Sequence, residues 1–175
     1  MIRINPAHDR GALAEAFAAT GRMQIRDFLV PQDAEQVHRL LSTKTPWWLV
    51  YNDGPRVEQL PPDYLAALSQ PQINQMLLGI QERARTQYQF LYHFYPMVSM
   101  YFTPTAPRLP VLEVYEWLNS PGTLDFFRKL TGRPDIQWAD AQATLYTSGN
   151  FLKSLTDQEP SGQRVVAYVL NFTRV

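Results

Sequence analysis

The chain has 175 residues, of which 45% are hydrophobic and 18% are charged, with 16 basic and 16 acidic side chains and no net charge. This composition gives one globular domain enough apolar surface for a core, which excludes a disordered chain. The balanced charge and the lack of a basic run exclude the strongly basic surface with which proteins bind nucleic acid or an acidic membrane. The absence of cysteine excludes disulfides, thiolate metal sites and cysteine nucleophiles.

The opening residues Met1–Pro6 contain no apolar run of the kind that begins a signal peptide. No later stretch of the sequence reaches the length of a membrane span. We therefore expect a soluble cytoplasmic protein, with neither a membrane nor a nucleic acid as its partner.

The first segment of the chain is predicted to be helical. Residues 12–19 are rich in helix formers, Asp9 is suited to cap their start, and Gly21 follows their end. The apolar positions of residues 23–30 predict a short strand, and Pro31 then opens a second helix.

The next segment predicts a hairpin. Trp47–Tyr51 reads as a strand, and Asn52–Pro55 carries the residues of a turn. Arg56–Leu60 is expected to return as the partner strand, and Pro61 precedes a further helical segment.

Helical periodicity predicts a long helix over residues 71–94. Three prolines make residues 101–110 a predicted loop. Two short helices are expected over 111–119 and 120–130, the second with Ser120 as its N-cap.

From residue 136 onward the pattern changes to strands and turns. Strands are predicted over 140–147 and 164–175, the second of them apolar on both faces and suited to the wall of a small-ligand cup. The expected fold class is α+β in a single domain over 1–175. Residues 1–134 form its mainly helical support region and residues 135–175 begin its β core.

Two segments of this β region carry a family resemblance. Residues 145–157 read LYTSGNFLKSLTD, and residues 162–173 read GQRVVAYVLNFT. They resemble the core of 2-oxoglutarate- and iron(II)-dependent oxygenases of the bacterial and fungal prolyl-hydroxylase type. In that family a tyrosine and a glycine precede a Phe-Leu pair and a His-x-Asp motif, and an arginine then leads into a strand that ends in Leu-Asn. The resemblance implies a double-stranded β-helix, or jelly roll, of which this chain holds the first strands and is truncated at its C-terminus.

The resemblance also implies an activity, which is hydroxylation of prolyl residues in a protein substrate. Fe(II) and 2-oxoglutarate are the implied cofactors, with ascorbate as a further one, and two histidines and one carboxylate hold the iron. On this basis Asp157 is the iron-binding carboxylate, and Tyr146 and Asn171 contact 2-oxoglutarate. The structural alternatives are a turn aspartate at 157, an ordinary half-buried strand tyrosine at 146 and a purely structural amide at 171. Arg164 also matches a family position, but a charge at the entry of the strand is the preferred interpretation.

The sequence departs from the family pattern at the metal site. Leu155 occupies the expected histidine position, and the sequence ends at Val175, before a distal histidine or a carboxylate-binding arginine. One carboxylate does not hold iron(II) in water, so we expect this chain by itself to be inactive. The alternative is a non-catalytic binding protein that reuses the scaffold. Its strand at 164–175 would leave an unpaired edge for a second copy or a complementing chain.

Other residues are assigned structural roles. His8, His38 and His93 share no metal-ligand spacing, so each is expected in the core or at the surface. The aromatic residues between Tyr88 and Phe102 are interpreted as hydrophobic core, with a substrate-facing surface as the alternative.

Overall fold

Within residues 1–153 and 164–173, which the computed structural model describes, the chain forms seven helices and five strands. In chain order they are α1 (Arg10–Thr20), α2 (Pro31–Lys44), β1 (Trp48–Asp53), β2 (Arg56–Leu60), α3 (Pro62–Ala67), α4 (Gln70–Thr86), β3 (Phe90–Tyr95), α5 (Met97–Phe102), α6 (Leu112–Leu118), α7 (Pro121–Thr131), β4 (Ala143–Leu145) and β5 (Phe151–Leu152). The expected mixture of helices and antiparallel strands is confirmed. None of the helices in these ranges combines the length and the apolar character needed to cross a membrane.

The chain divides into two compact units, each assembled from segments that are separated in sequence. The helical unit comprises Met1–Thr45, Met97–Ala141 and the described part of Val165–Val175. The sheet unit comprises Pro46–Pro96 and the described part of Gln142–Arg164.

The ends of α1 are fixed by the two residues that the sequence indicates. The Asp9 carboxylate accepts hydrogen bonds from the backbone N–H groups of Gly11 and Ala12 at 2.9 and 3.1 Å. Gly21 follows the helix with φ 67°, and its N–H donates to the Phe17 carbonyl at 2.7 Å. Only glycine adopts this left-handed conformation without strain, so the predicted cap and stop signals are both confirmed.

Helix α7 supplies the core of the helical unit. Pro121 follows the predicted N-cap Ser120, whose hydroxyl accepts from the Thr123 N–H at 3.4 Å. The apolar face of the helix buries Leu124, Phe126, Phe127, Leu130 and the nearby Ile136 in one cluster.

Residues 23–30 do not form the predicted strand. Their contact with another strand-like segment is one bridge, between Leu29 and Ile4. Met23, Ile25 and Phe28 all pack against the α7 cluster instead, and the Phe28 ring lies 5.4 Å from the Phe126 ring at a steep angle. The free energy gained when these three side chains pack on one helix outweighs the preference of the alternating pattern for a strand.

The sheet unit is built around β1 and β3. In the described residues the antiparallel order is β2-β1-β3-β4, and β5 also pairs with β3. The predicted hairpin is confirmed, with Leu49 opposite Leu60 and Asp53 opposite Arg56. Gly54, at φ 61°, supplies the left-handed residue of its turn.

Residues 90–95 correct the prediction of one helix over 71–94. Helix α4 ends at Thr86, and Phe90–Tyr95 becomes β3, with neighbours on both sides. The sequence FLYHFY favours a strand because β-branched and aromatic side chains fit a pleated, half-buried surface. Leu91 lies in one hydrophobic cluster with Ile80 of α4. Phe90 and Phe94 lie in a second cluster with Val50.

The two C-terminal strand predictions are corrected as well. The strand expected over 140–147 is reduced to Ala143–Leu145. The described residues 164–173 contain no strand. Val165 and Val166, which would lie on opposite faces of a strand, both pack against the α7 cluster, and the Tyr168 ring stacks on Phe127. The prediction of a strand buried on both faces is therefore wrong: the segment packs on one helix with part of its side chains, and Val169 is 89% exposed.

Candidate functional site

Tyr146 lies directly after β4 in the sheet unit. Its ring stacks on Tyr92 of β3, with the centroids 5.2 Å apart and the planes at 26°. Phe90 continues this row at 5.4 Å from Tyr92. Tyr146 is 49% exposed. Burial of the rest of its side chain raises its pKa, and the neighbouring phenols of Tyr92 and Tyr88 raise the pKa further. The hydroxyl of Tyr146 is therefore protonated at neutral pH and can donate a hydrogen bond.

The turn after Tyr146 is held by the side chain of Asn150. Its Oδ1 accepts hydrogen bonds from the N–H and the hydroxyl of Thr147 at 3.0 and 3.1 Å. The Nδ1 of His93 lies 3.2 Å from the same oxygen. Because an amide oxygen only accepts, the His93 ring donates from Nδ1. Gly149 at φ 84° completes the turn, which brings the chain back to β3.

Lys153 fixes the end of this segment. Its ammonium group donates to the carbonyls of Ala84 and Gln87 at 2.9 and 2.7 Å, at the C-terminal end of α4. A cation is stabilised there by the unpaired carbonyls and by the helix dipole. Leu155 and Asp157, the residues assigned to the metal motif, lie outside the described residues.

Asn171 belongs to the helical unit, whereas Tyr146 belongs to the sheet unit. The Asn171 side-chain oxygen accepts the N–H of Thr173 at 2.9 Å, a local turn that uses the amide structurally. Next to it, the Nδ1 of His38 is 3.0 Å from the Phe172 carbonyl. This geometry fits the structural alternative for Asn171. Arg164, the other residue matched to the family in this region, is exposed.

The three histidines each contact a different part of the chain. His8 contacts the Asp27 carbonyl at 3.0 Å, His38 contacts residue 172, and His93 contacts Asn150. Among residues 1–153 and 164–173, no three histidine, aspartate or glutamate side chains are grouped so that they could hold a metal ion. At the motif itself Leu155 has no donor atom, so the residues present there do not fit the iron(II) that the family resemblance implies.

A cavity of about 520 Å³ opens in the helical unit. We call it the aromatic cleft and define it by six of its lining residues, Tyr101, Phe102, Tyr115, Glu116, Asn119 and Trp138. Sequence reasoning grouped its first two rings with the aromatic residues of β3, which belong to the other unit. It did not identify Glu116 or Trp138. The one available signal was a tryptophan in the segment between α7 and β4.

No protein-family model, characterised protein or solved structure matches the chain. A function is therefore inferred from its own residues.

Proposed function

We propose that this chain derives from 2-oxoglutarate- and iron(II)-dependent oxygenases of the prolyl-hydroxylase type and no longer binds iron at their motif. One observation carries the proposal, the order of motif residues from Tyr146 to Asp157 and again from Arg164 to Asn171. The parent activity is hydroxylation of prolyl residues in a protein substrate, on a jelly-roll fold.

The arrangement around Tyr146 supports this proposal. Strands β4 and β5 flank the turn, and both pair antiparallel with β3 along the same edge, so Tyr146 is held against the sheet. The protonated Tyr146 hydroxyl suits a hydrogen bond to a carboxylate of 2-oxoglutarate. Asn171 is left out of this proposed contact, because its side-chain oxygen accepts the Thr173 N–H in a local turn.

The donor set at the motif explains the proposed loss of activity. In the family, bound iron supplies oxygen activation, and it needs three protein ligands with three positions left open. Leu155 has no lone pair, so Asp157 contributes a single carboxylate. A carboxylate alone exchanges readily with water and leaves Fe(II) in solution.

The test restores the missing donor with Leu155→His in the full chain. We expect this variant to gain affinity for Co(II), a spectroscopic substitute for Fe(II), relative to the wild type. The double variant Leu155→His/Asp157→Asn keeps the new histidine and removes the carboxylate, so it should lose most of that gain. Equal Co(II) affinity for the single and double variants would contradict a shared site. In a chain extended beyond Val175 with the distal strands of an active family member, Leu155→His should also restore 2-oxoglutarate turnover.

A second candidate is a non-catalytic binding protein on the same scaffold. Leu155 favours it directly, because an apolar residue at a ligand position removes the chemistry and leaves the fold. The expectation of a complementing strand or second copy is weaker, since residues 164–173 pack on α7 and present no strand edge. Metal-free binding of 2-oxoglutarate to the wild type that Tyr146→Phe weakens would favour a retained binding role. Absence of such binding would count against it.

A further inference from the structure

The walls of the aromatic cleft are rings set at steep angles to one another. The Tyr101 and Tyr115 centroids are 4.9 Å apart, with an angle of 57° between the planes. The Phe102 ring is nearly perpendicular to both, at 84° and 80°. Phe102 is 68% exposed and Trp138 is 59% exposed. Large aromatic surfaces that share one cavity and remain open to solvent are typical of ligand sites.

The position of Trp138 is fixed through the backbone of the next residue, Ala139. Asn119 Oδ1 accepts the Ala139 N–H at 2.8 Å, and Asn119 Nδ2 donates to the Ala139 carbonyl at 3.1 Å. The same Nδ2 also donates to the Tyr115 carbonyl at 3.1 Å, so the amide ties this segment to α6. The tryptophan is therefore presented from a fixed backbone, which lowers the entropy lost when a ligand binds.

The charged side chain in the lining of the cleft is a carboxylate. Glu116 is the charged residue among the lining side chains, and it forms no ion pair within the described parts of the chain. Burial raises the pKa of Tyr115, and the nearby Asp140 carboxylate raises it further. An unpaired carboxylate beside π faces disfavours anions and favours cations.

One of these rings already attracts a cation from the chain itself. The guanidinium carbon of Arg108 lies 4.4 Å from the centroid of the Tyr101 ring. This distance is within the range of cation–π attraction. Arg108 does not line the cavity, so the cleft remains open to a second cation.

We propose that the aromatic cleft binds a small alkylated ammonium cation, of the chemical type of choline. Such a cation is weakly hydrated and matches both the π faces and the Glu116 carboxylate. The cavity volume is that of a small-molecule site and exceeds the space of one trimethylammonium group. This inference is independent of the proposed oxygenase ancestry.

The experiment titrates the full chain with choline and, in parallel, with 3,3-dimethylbutan-1-ol, its neutral isostere. Binding is followed by NMR through the backbone amides of Asn119 and Ala139. We expect saturable shifts with choline, with a Kd on the order of 1 mM, and binding of the isostere weaker by at least about fivefold.

Four variants locate the site. Glu116→Gln keeps the shape and removes the charge, so choline should bind up to about fivefold more weakly. Glu113→Gln is the matched control on the same helix, outside the cleft, and should bind as the wild type does. Trp138→Ala removes an exposed ring and should weaken choline binding by about tenfold, with Trp138→Phe intermediate.

Equal affinity for choline and its neutral isostere would overturn the proposal, as would the absence of saturable shifts with choline. Equal effects of Glu116→Gln and Glu113→Gln would also overturn it. A trimethyllysine peptide that binds more than about tenfold more tightly than choline would replace the small-molecule ligand with a protein partner.

Discussion

The rings of Phe127 and Tyr168 stack with their centroids 4.4 Å apart and their planes at 21°. Phe127 lies on the buried face of α7, and Tyr168 belongs to the last described segment of the chain. The stack therefore attaches residues 165–173 to the rest of the helical unit. Burial raises the pKa of Tyr168 to about 12.

Tyr168 should make the helical unit sensitive to alkali. A pKa raised in the folded state means that folding favours the neutral phenol, so its contribution to stability is complete below the ordinary tyrosine pKa of about 10. That contribution is lost as the pH rises from about 10 through about 12. Tyrosinate absorbance of the wild type minus that of Tyr168→Phe should show a group that titrates late.

Two variants of Tyr168 separate the contribution of the hydroxyl from that of the ring. Tyr168→Phe keeps the stack and should change the free energy of unfolding by less than about 0.5 kcal/mol at neutral pH. Tyr168→Ala removes the stack and should cost about 1–2 kcal/mol. Equal costs for the two, measured by urea denaturation, would show that the ring contact contributes nothing.

Asn150→Ala should destabilise the turn after Tyr146. The substitution removes the oxygen that accepts from His93 and twice from Thr147, and leaves a half-buried imidazole without its partner. We expect a loss of about 1–3 kcal/mol by urea denaturation, with faster hydrogen exchange at the Thr147 amide. Ser148→Ala, an exposed position in the same turn, is the control and should have no such effect. Asn150→Ala with unchanged Thr147 exchange would be inconsistent with the proposed role of the amide oxygen.

Asp33 should contribute stability that is lost in acid. Hydrogen bonds from Arg3 lower the pKa of this buried carboxyl, because they stabilise its charged form. The contribution is complete above the pKa of the unfolded state, about 3.9, and disappears as the pH falls through the lower folded value. Asp33→Asn should be less stable than the wild type at neutral pH, and the difference should shrink as the pH falls below the unfolded-state pKa. Glu15→Gln, an exposed site on α1, should show no such convergence.

Two glycines, at the start and just past the end of α7, should have opposite effects on stability when replaced by alanine. Gly132 ends α7 at φ 66°, so Gly132→Ala should cost about 1 kcal/mol because alanine is strained there. Gly122 is the second residue of α7 and has open space around it, so Gly122→Ala should stabilise by up to about 0.5 kcal/mol through helix propensity. The melting temperatures of the two variants should therefore move in opposite directions, and a shift in the same direction would contradict this account.

Local signals in the sequence predicted much of the fold. Asp9 and Ser120 cap helices, and the Asn52–Pro55 turn closes a hairpin, because each effect involves neighbours within a few residues. The apolar spacing of residues 90–95 is compatible with a helix and with a strand, which is why the helix prediction extends into them. The strand forms because β1 is available as its pairing partner, which the local sequence does not show.

The candidate sites were less predictable. Tyr146 directly follows β4, which lies within a predicted strand, but the contact of Asn150 with His93 joins residues far apart in sequence. The aromatic cleft combines three separate segments around Tyr101, Tyr115 and Trp138, and no spacing rule connects them. Asn171 was interpreted through a strand that α7 prevents, so its local turn could not be foreseen.

The central position of β3 also sets an order of assembly. The β1–β2 hairpin uses only neighbouring residues and can close as soon as it leaves the ribosome. β3 must wait for α3 and α4 to be synthesised, and its other edge stays open until β4 and β5 arrive after the whole of α5–α7. During that interval a nascent chain exposes an aromatic strand edge that can pair with other chains. A stalled or slowly translated stretch between Tyr95 and Ala143 is therefore the point at which aggregation should begin.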